Sequence, residues 1–178
     1  MYYERTIQKT LQRISNTFPV LLLTGPRQVG KTTLLTKMTG QDRKIVSLDN
    51  PTIREMAKQE PELFLQRYAP PVMIDEIQYA PQLFDYIKIY VDEHKVSGDF
   101  WLTGSQTFHL MKSVTESLAG RVGVARMLGL SGSEISGRHF PPFTVEPDVL
   151  IQRMKQVPPM TLPEIYGRIF KGSMPRLY

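Results

Sequence analysis

Val20-Leu21-Leu22-Leu23-Thr24-Gly25-Pro26-Arg27-Gln28-Val29-Gly30-Lys31-Thr32-Thr33-Leu34-Leu35 is a short apolar run, a loop bounded by two glycines, and the start of a stretch that can be helical to Met38. The loop fits G-x-x-x-x-G-K-[ST] at every fixed position. Strand, glycine loop and helix in that order aim backbone N–H groups and a helix N-terminus at a polyphosphate. The glycines let the chain curl and approach the phosphates with no Cβ in the way. Lys31 then carries a positive charge to the β- and γ-phosphates, and Thr32 offers its hydroxyl to Mg²⁺. Gly25, Pro26, Arg27, Gln28, Val29, Gly30, Lys31, Thr32 and Thr33 are the candidate nucleotide-binding residues. The side chain of Arg27 faces either the nucleotide or the surface. A chance match in a turn before a helix is the competing reading, and the flanking strand and helix signals argue against it.

Pro71-Val72-Met73-Ile74-Asp75-Glu76 is a second apolar run, ending in two carboxylates. By itself this is a common strand end. Downstream of an intact phosphate loop it reads as the neighbouring strand of an ATPase site. Asp75 would hold Mg²⁺ directly or through water, and Glu76 would polarise the attacking water as general base.

Thr103 and Ser105 flank Gly104 where a fourth strand, residues 99–103, should end. Either hydroxyl suits contact with the γ-phosphate or the attacking water. Ser at a strand-to-helix junction is equally a cap. Arg121 follows Gly120 after a helical stretch. It is either a guanidinium brought to the γ-phosphate or an ordinary ion-paired arginine at a strand start.

The remaining strand signals are Lys44–Leu48 and Arg121–Leu128. Helical spacing marks residues 4–15, 82–95 and 106–117, and shorter helices fit residues 52–58 and 61–66. Arg5, Lys9 and Arg13 form a basic stripe on the first helix, read as a solvated face or a phosphate contact. Strands alternating with helices predict a three-layer α/β sandwich with a five-stranded parallel sheet covered on both faces. Ligands of such sheets bind beyond the carboxyl ends of the strands, where both acidic and glycine motifs fall.

Composition narrows the function classes. A chain of 178 residues with 41% hydrophobic content fits one globular domain and a piece of another. It has no cysteine, which removes disulfides, thiol nucleophiles and thiolate metal sites and is compatible with a cytoplasmic location. His94, His109 and His139 match no metal-ligand spacing and read as ordinary surface or loop residues. No run is long and apolar enough for a membrane helix, and the N-terminus lacks a signal-peptide stretch. A net charge of +5 permits contact with nucleic-acid phosphates without demanding it.

The tail differs from the rest. Pro141, Pro142, Pro147, Pro158, Pro159 and Pro163 disfavour a continuous core element. The expected organisation is an ATP-binding domain over residues 1–135. Residues 136–178 follow as a proline-rich linker with one short helix near 148–154 and the start of an incomplete further region.

Residues 22–35, Ile74-Asp75-Glu76-Ile77-Gln78, Leu102-Thr103-Gly104-Ser105 and Glu116-Ser117-Leu118-Ala119-Gly120-Arg121 together resemble, in order, the signature of AAA-type ATP-binding proteins of bacteria and archaea. The resemblance covers about residues 1–135. It implies an AAA+ fold with ATP and Mg²⁺ at the site described. Members of that family are longer and carry a C-terminal domain similar to restriction-nuclease folds. Gly172-Ser173-Met174-Pro175 resembles the glycine-glycine-x-proline stretch leading into it, with Ser173 departing from the second glycine. On that resemblance the chain is the ATPase part of a longer protein, with the helical lid missing or incomplete. Two functions follow as expectations. One is an Mg²⁺-dependent ATPase that couples hydrolysis to a conformational change. The other is a nucleotide-gated switch acting on DNA or a protein partner, with a homo-oligomer open to either. A small-molecule kinase would want a cluster of lid arginines, and none is found.

Overall fold

Strands β1 (Val20–Thr24), β2 (Lys44–Ser47), β3 (Val72–Asp75), β4 (Phe100–Gly104) and β5 (Val122–Arg126) run parallel in one sheet of order β2-β3-β4-β1-β5. The computed structural model describes residues 2–105, 108–138 and 144–178. The chain separates into two compact units, Ile7–Leu128 and Met1–Thr6 with Gly129–Tyr178.

The larger unit contains the sheet and α1 (Gln8–Thr17), α2 (Lys31–Met38), α3 (Pro51–Gln59), α4 (Pro61–Arg67), α5 (Leu83–His94) and α6 (Phe108–Ser117). Strands β1 and β4 are buried along their whole length, as a sheet covered on both faces requires. On one face Val20, Leu22, Val72, Ile74, Phe100 and Leu102 pack with Phe64 of α4, Phe84 and Ile87 of α5 and Val114 of α6. The alternate residues turn to the other face, where the Trp101 indole N–H donates to Ser15 Oγ of α1 at 2.8 Å. Each such large side chain taken fully from water contributes about 1.5–3 kcal/mol, which is why these unbroken apolar runs are strands of a buried sheet. Between β2 and β3, Asn50 caps α3 by accepting from the amides of Thr52 and Ile53, and Pro51 occupies its first turn.

The first helix begins later than the periodicity predicts. Residues 4–6 are not helical, because the Thr6 amide donates to Glu134 Oε1 at 2.8 Å and Arg5 is buried against the same carboxylate. Arg5 therefore leaves the basic stripe, while Lys9 and Arg13 stay exposed on α1. The other elements match their sequence signals to within a residue or two; of the stretch 106–117, residues 106 and 107 lie outside the described residues.

The smaller unit holds α7 (Gly132–Ile135), α8 (Pro147–Gln156) and α9 (Leu162–Lys171). The sequence reading of 136–178 as a linker with one short helix is corrected here: two ten-residue helices form. The prolines permit this because Pro147 and Pro163 fall in first turns, where a missing N–H costs nothing. The compact unit also starts at Gly129 rather than after 135 and takes in the N-terminal residues. Its centre is Glu134, which receives the amides of Thr6 and Ser131 and the Arg5 guanidinium at 3.3 Å. Burial would raise this carboxyl; those amides and the guanidinium outweigh it and leave it below the usual carboxylate range. The Leu130 amide donates to Ser173 O at 2.6 Å, and Tyr3 meets Tyr178 edge to face. His139, Pro141 and Pro142 lie outside the described residues. Among those described, no helix is long and apolar enough to cross a membrane.

Candidate nucleotide site at the carboxyl ends of the strands

The glycine loop joins β1 to α2. Gly25 has φ 148°, and a Cβ there would lie 2.1 Å from the carbonyl oxygen of Met127, so only glycine fits against the chain leaving β5. Gly30 is left-handed at φ 93° and stands at the N-cap of α2, where no side chain caps the helix. The first-turn N–H groups of α2 thus open toward the glycine loop with the positive end of the helix dipole behind them. Pro26, Arg27, Gln28 and Thr33 are exposed, which puts the Arg27 side chain on the surface in this structure, and Val29 is fully buried as the loop's anchor.

Lys31 is only 5% exposed. Its ammonium donates to the carbonyls of Gly25 and Pro26 at 3.0 and 2.9 Å. Burial pushes it below the ordinary lysine value; the charges of Glu76 and Asp75 pull it up, and Arg27 works the other way. A buried ammonium held by two neutral carbonyls suits an incoming polyanion.

Strand register builds the acidic half. Ser47 pairs with Asp75 across β2 and β3, and Thr103 follows Leu102, which pairs with Ile74, so Ser47, Asp75 and Thr103 form one row across three strands. Thr32 Oγ1 donates to Asp75 Oδ1 at 2.7 Å. Thr103 Oγ1 donates to the same oxygen, and Ser47 Oγ reaches Oδ2 at 3.3 Å. A hydroxyl and a carboxylate side by side form the hard-oxygen donor set that Mg²⁺ takes. Among the described residues no cluster of three or more His, Asp or Glu side chains could hold a metal. An Mg²⁺ ion held by one or two protein ligands and completed by phosphate and water would need no such cluster.

Glu76 follows at once, in the left-handed region at φ 58°, a conformation costing a non-glycine residue of order 1–3 kcal/mol. Its amide donates to Thr103 Oγ1 at 3.2 Å, and its carboxylate Oε2 accepts from the Gln78 side-chain amide. Gln78 lies in the 3-10 turn Ile77–Tyr79 directly after it.

The structure thus brings together Gly25, Gly30, Lys31, Thr32, Asp75, Glu76 and Thr103. It separates the two hydroxyls that the sequence left open. Thr103, fully buried, ties Asp75 to Glu76, whereas the Ser105 hydroxyl is buried without a hydrogen-bond partner among the described residues. Arg121 is not brought to the site. It precedes β5 at the amino end of the sheet and is paired with Asp92 at 2.5 and 2.9 Å. Five residues of strand, about 16 Å, lie between it and the loop end, where Arg126 stands in register with Thr24. Of the histidines, His94 stacks on Tyr90 at 3.9 Å, and His109 lies on α6. Sequence reasoning missed Ser47 and Gln78. Ser47 could have been found as the last residue of β2 in register with Asp75; Gln78 closes the stretch 74–78 that carries the family resemblance, but the linear pattern gives it no role.

A family model described as an AAA domain matches residues 17–136. Uncharacterized protein Mb2031c of Mycobacterium bovis and Uncharacterized protein Rv2008c of Mycobacterium tuberculosis are each 35% identical over 127 residues, 70% of this chain. The match spans only 28% of the length of either relative. Among solved structures, a DNA replication initiation factor aligns over 84% of this chain and 49% of its own, at 11% identity and TM-score 0.47. The DnaC helicase loader aligns over 71% of this chain and 94% of its own, at 10% identity and TM-score 0.45. The family match takes in the glycine loop, both carboxylates and Thr103, and the sheet that carries them has the parallel α/β build expected from the sequence: this chain belongs to the AAA domain family of ATP-binding P-loop proteins.

Proposed function

We propose that this chain binds ATP with Mg²⁺ and hydrolyses the β–γ phosphoanhydride, using the change of ligand to drive a conformational change. The observation that carries the reading is the contact between the Thr32 hydroxyl and the Asp75 carboxylate, 2.7 Å apart beside a buried Lys31. Residues 43 positions apart in sequence meet there as hydroxyl and carboxylate, with no other evident use for a charge so little exposed. Bound Mg²⁺ would neutralise charge developing on the phosphate oxygens.

The chain's own residues supply the rest. The loop amides and the start of α2 cradle the phosphates, and Lys31 leaves the loop carbonyls for the β- and γ-phosphate oxygens. Thr32 and Asp75 hold the metal, Asp75 kept in place by Thr103 and Ser47. Glu76 takes the proton of the attacking water. Ser105, its hydroxyl without a hydrogen-bond partner among the described residues, is the better candidate for contact with the γ-phosphate. Arg121 stands too far away for that role within one chain. A guanidinium at the γ-phosphate would come from Arg27 or Arg126 at the loop end of the same chain, or from a second copy in a homo-oligomer.

One observation favours the switch reading instead. The Lys31 ammonium is held by the loop carbonyls of Gly25 and Pro26, so the main phosphate-binding cation is engaged with its own chain. ATP turnover at rising protein concentration, alone and with duplex DNA, decides between them. Phosphate release that climbs with concentration supports the ATPase; tight ATP binding with no release under any condition leaves the switch.

A further inference from the structure

We propose that Gln78 is a positioning residue for Glu76, and that the turn between them exists to make that contact. This rests on the reading of Glu76 as the general base. The chain leaves β3 at Asp75, enters the left-handed region at Glu76 and tightens at once into the 3-10 turn Ile77–Tyr79. Two anchors hold this reversal: Glu76 N donates to Thr103 Oγ1, and Ile77 is fully buried in the core. The reversal returns side chain 78 to side chain 76, so the Gln78 amide donates to Glu76 Oε2.

The chemistry suits positioning. A carboxylate that must abstract a proton needs one oxygen free and a fixed direction. A neutral amide donor occupies the second oxygen and fixes the rotamer without neutralising the charge, as a lysine or arginine would do. The Gln78 amide oxygen is buried and has no hydrogen-bond partner among the described residues. It lies beside the base and is closed to solvent, so the amide's one observed bond among the described residues is its donation to Glu76. No step is added to hydrolysis: the proton still goes to Glu76, and Gln78 forms and breaks only hydrogen bonds.

The test uses the full chain in four forms, parent, Gln78→Ala, Glu76→Gln and the double variant, with Gln78→Glu as a fifth that keeps the volume and loses the donor. Single-turnover hydrolysis, ATP affinity by calorimetry and the ¹⁵N-¹H signals of the Gln78 side-chain amide are measured. Gln78→Ala and Gln78→Glu should each lower turnover about tenfold to a hundredfold, the range that misplacing a reacting group costs. ATP affinity should stay within about twofold. Gln78→Ala should add nothing on top of Glu76→Gln, because it acts through that carboxylate. The Gln78 amide signals should shift in Glu76→Gln whether or not the chain turns over. Multiplying effects in the double variant, turnover retained in Gln78→Glu, or amide signals unmoved by Glu76→Gln would each overturn the proposal. If Glu76→Gln itself hydrolyses ATP like the parent, the general-base reading fails. If Glu76→Gln is slow and Gln78→Ala is not, the proposal for Gln78 fails alone.

Discussion

The hydroxyl of Thr103 joins the two acidic residues of the site: it donates to Asp75 Oδ1 and accepts the backbone N–H of Glu76 at 3.2 Å. One oxygen atom thus fixes both the metal-side carboxylate and the turn that carries the base. Thr103→Val keeps the shape and deletes both bonds, leaving Glu76 N unpaired and Asp75 with one donor fewer. Such buried losses cost about 1–3 kcal/mol. The expected result is lower thermal stability together with weaker ATP binding in Mg²⁺, followed by calorimetry. Wild-type affinity in a stably folded variant would show that Thr103 has no part in ordering Asp75.

Lys31→Ala should weaken ATP binding by tenfold or more, since hydrogen bonds to a charged group contribute about 1.5–3 kcal/mol each. The sheet should survive, because the ammonium is held by two loop carbonyls and not by the apolar core. Circular dichroism and calorimetry check the two halves of this statement.

Thr32 and Asp75 are expected to act on the metal as a pair. Ala at either position should weaken ATP binding more in Mg²⁺ than in EDTA, and the double variant should lose little beyond the worse single one. Equal losses in both buffers would assign the contact to fold alone.

Glu76→Gln separates chemistry from binding. The variant should hold ATP at least as tightly as the parent, because a negative charge near the γ-phosphate is removed. Turnover should fall by about 10²-fold or more, the usual cost of losing a general base.

In the smaller unit, Glu134 is held below its ordinary carboxylate value by the amides of Thr6 and Ser131 and by Arg5. A depressed carboxyl contributes stability in full above the unfolded value near 4.3. That contribution is lost as pH falls through the lower folded value. Glu134→Gln should flatten the acid side of the stability profile. Hydrogen exchange at the Thr6 and Ser131 amides, compared at neutral pH and near pH 3, reads this locally; identical acid sensitivity in parent and variant would refute it.

The glycine loop and Asp75-Glu76 were legible because their spacing is local and each follows an apolar strand. The sheet was legible because parallel, doubly covered strands leave continuous apolar runs such as Val20–Leu23. What escaped the sequence was set by contacts across it. Arg121 lies on the same strand signal whether it points to nucleotide or to Asp92, and only the direction of β5 puts it at the amino end. Thr103 and Ser105 are two residues apart and chemically alike; register, not composition, gives the first to Asp75. Proline density misled over α8 and α9, because proline at a helix start and proline in a linker look alike until the first turn is located. Gln78 reaches Glu76 only through a left-handed residue, which no local pattern announced.

The row Ser47, Asp75, Thr103 has a consequence for how this protein matures. Slide β4 by one residue along β3 and Leu102 or Gly104 arrives beside Asp75, with nothing to give it. The proposed nucleotide site therefore depends on alignment among segments far apart in the chain: a sheet with that register shifted would lack the Thr103 bond to Asp75 and, on the proposed reading, bind ATP more weakly. Ligand at a hundred times its dissociation constant adds about 2.7 kcal/mol to the state that binds it, so ATP would act as a proofreader, retaining correctly aligned chains and leaving the others to unfold and try again.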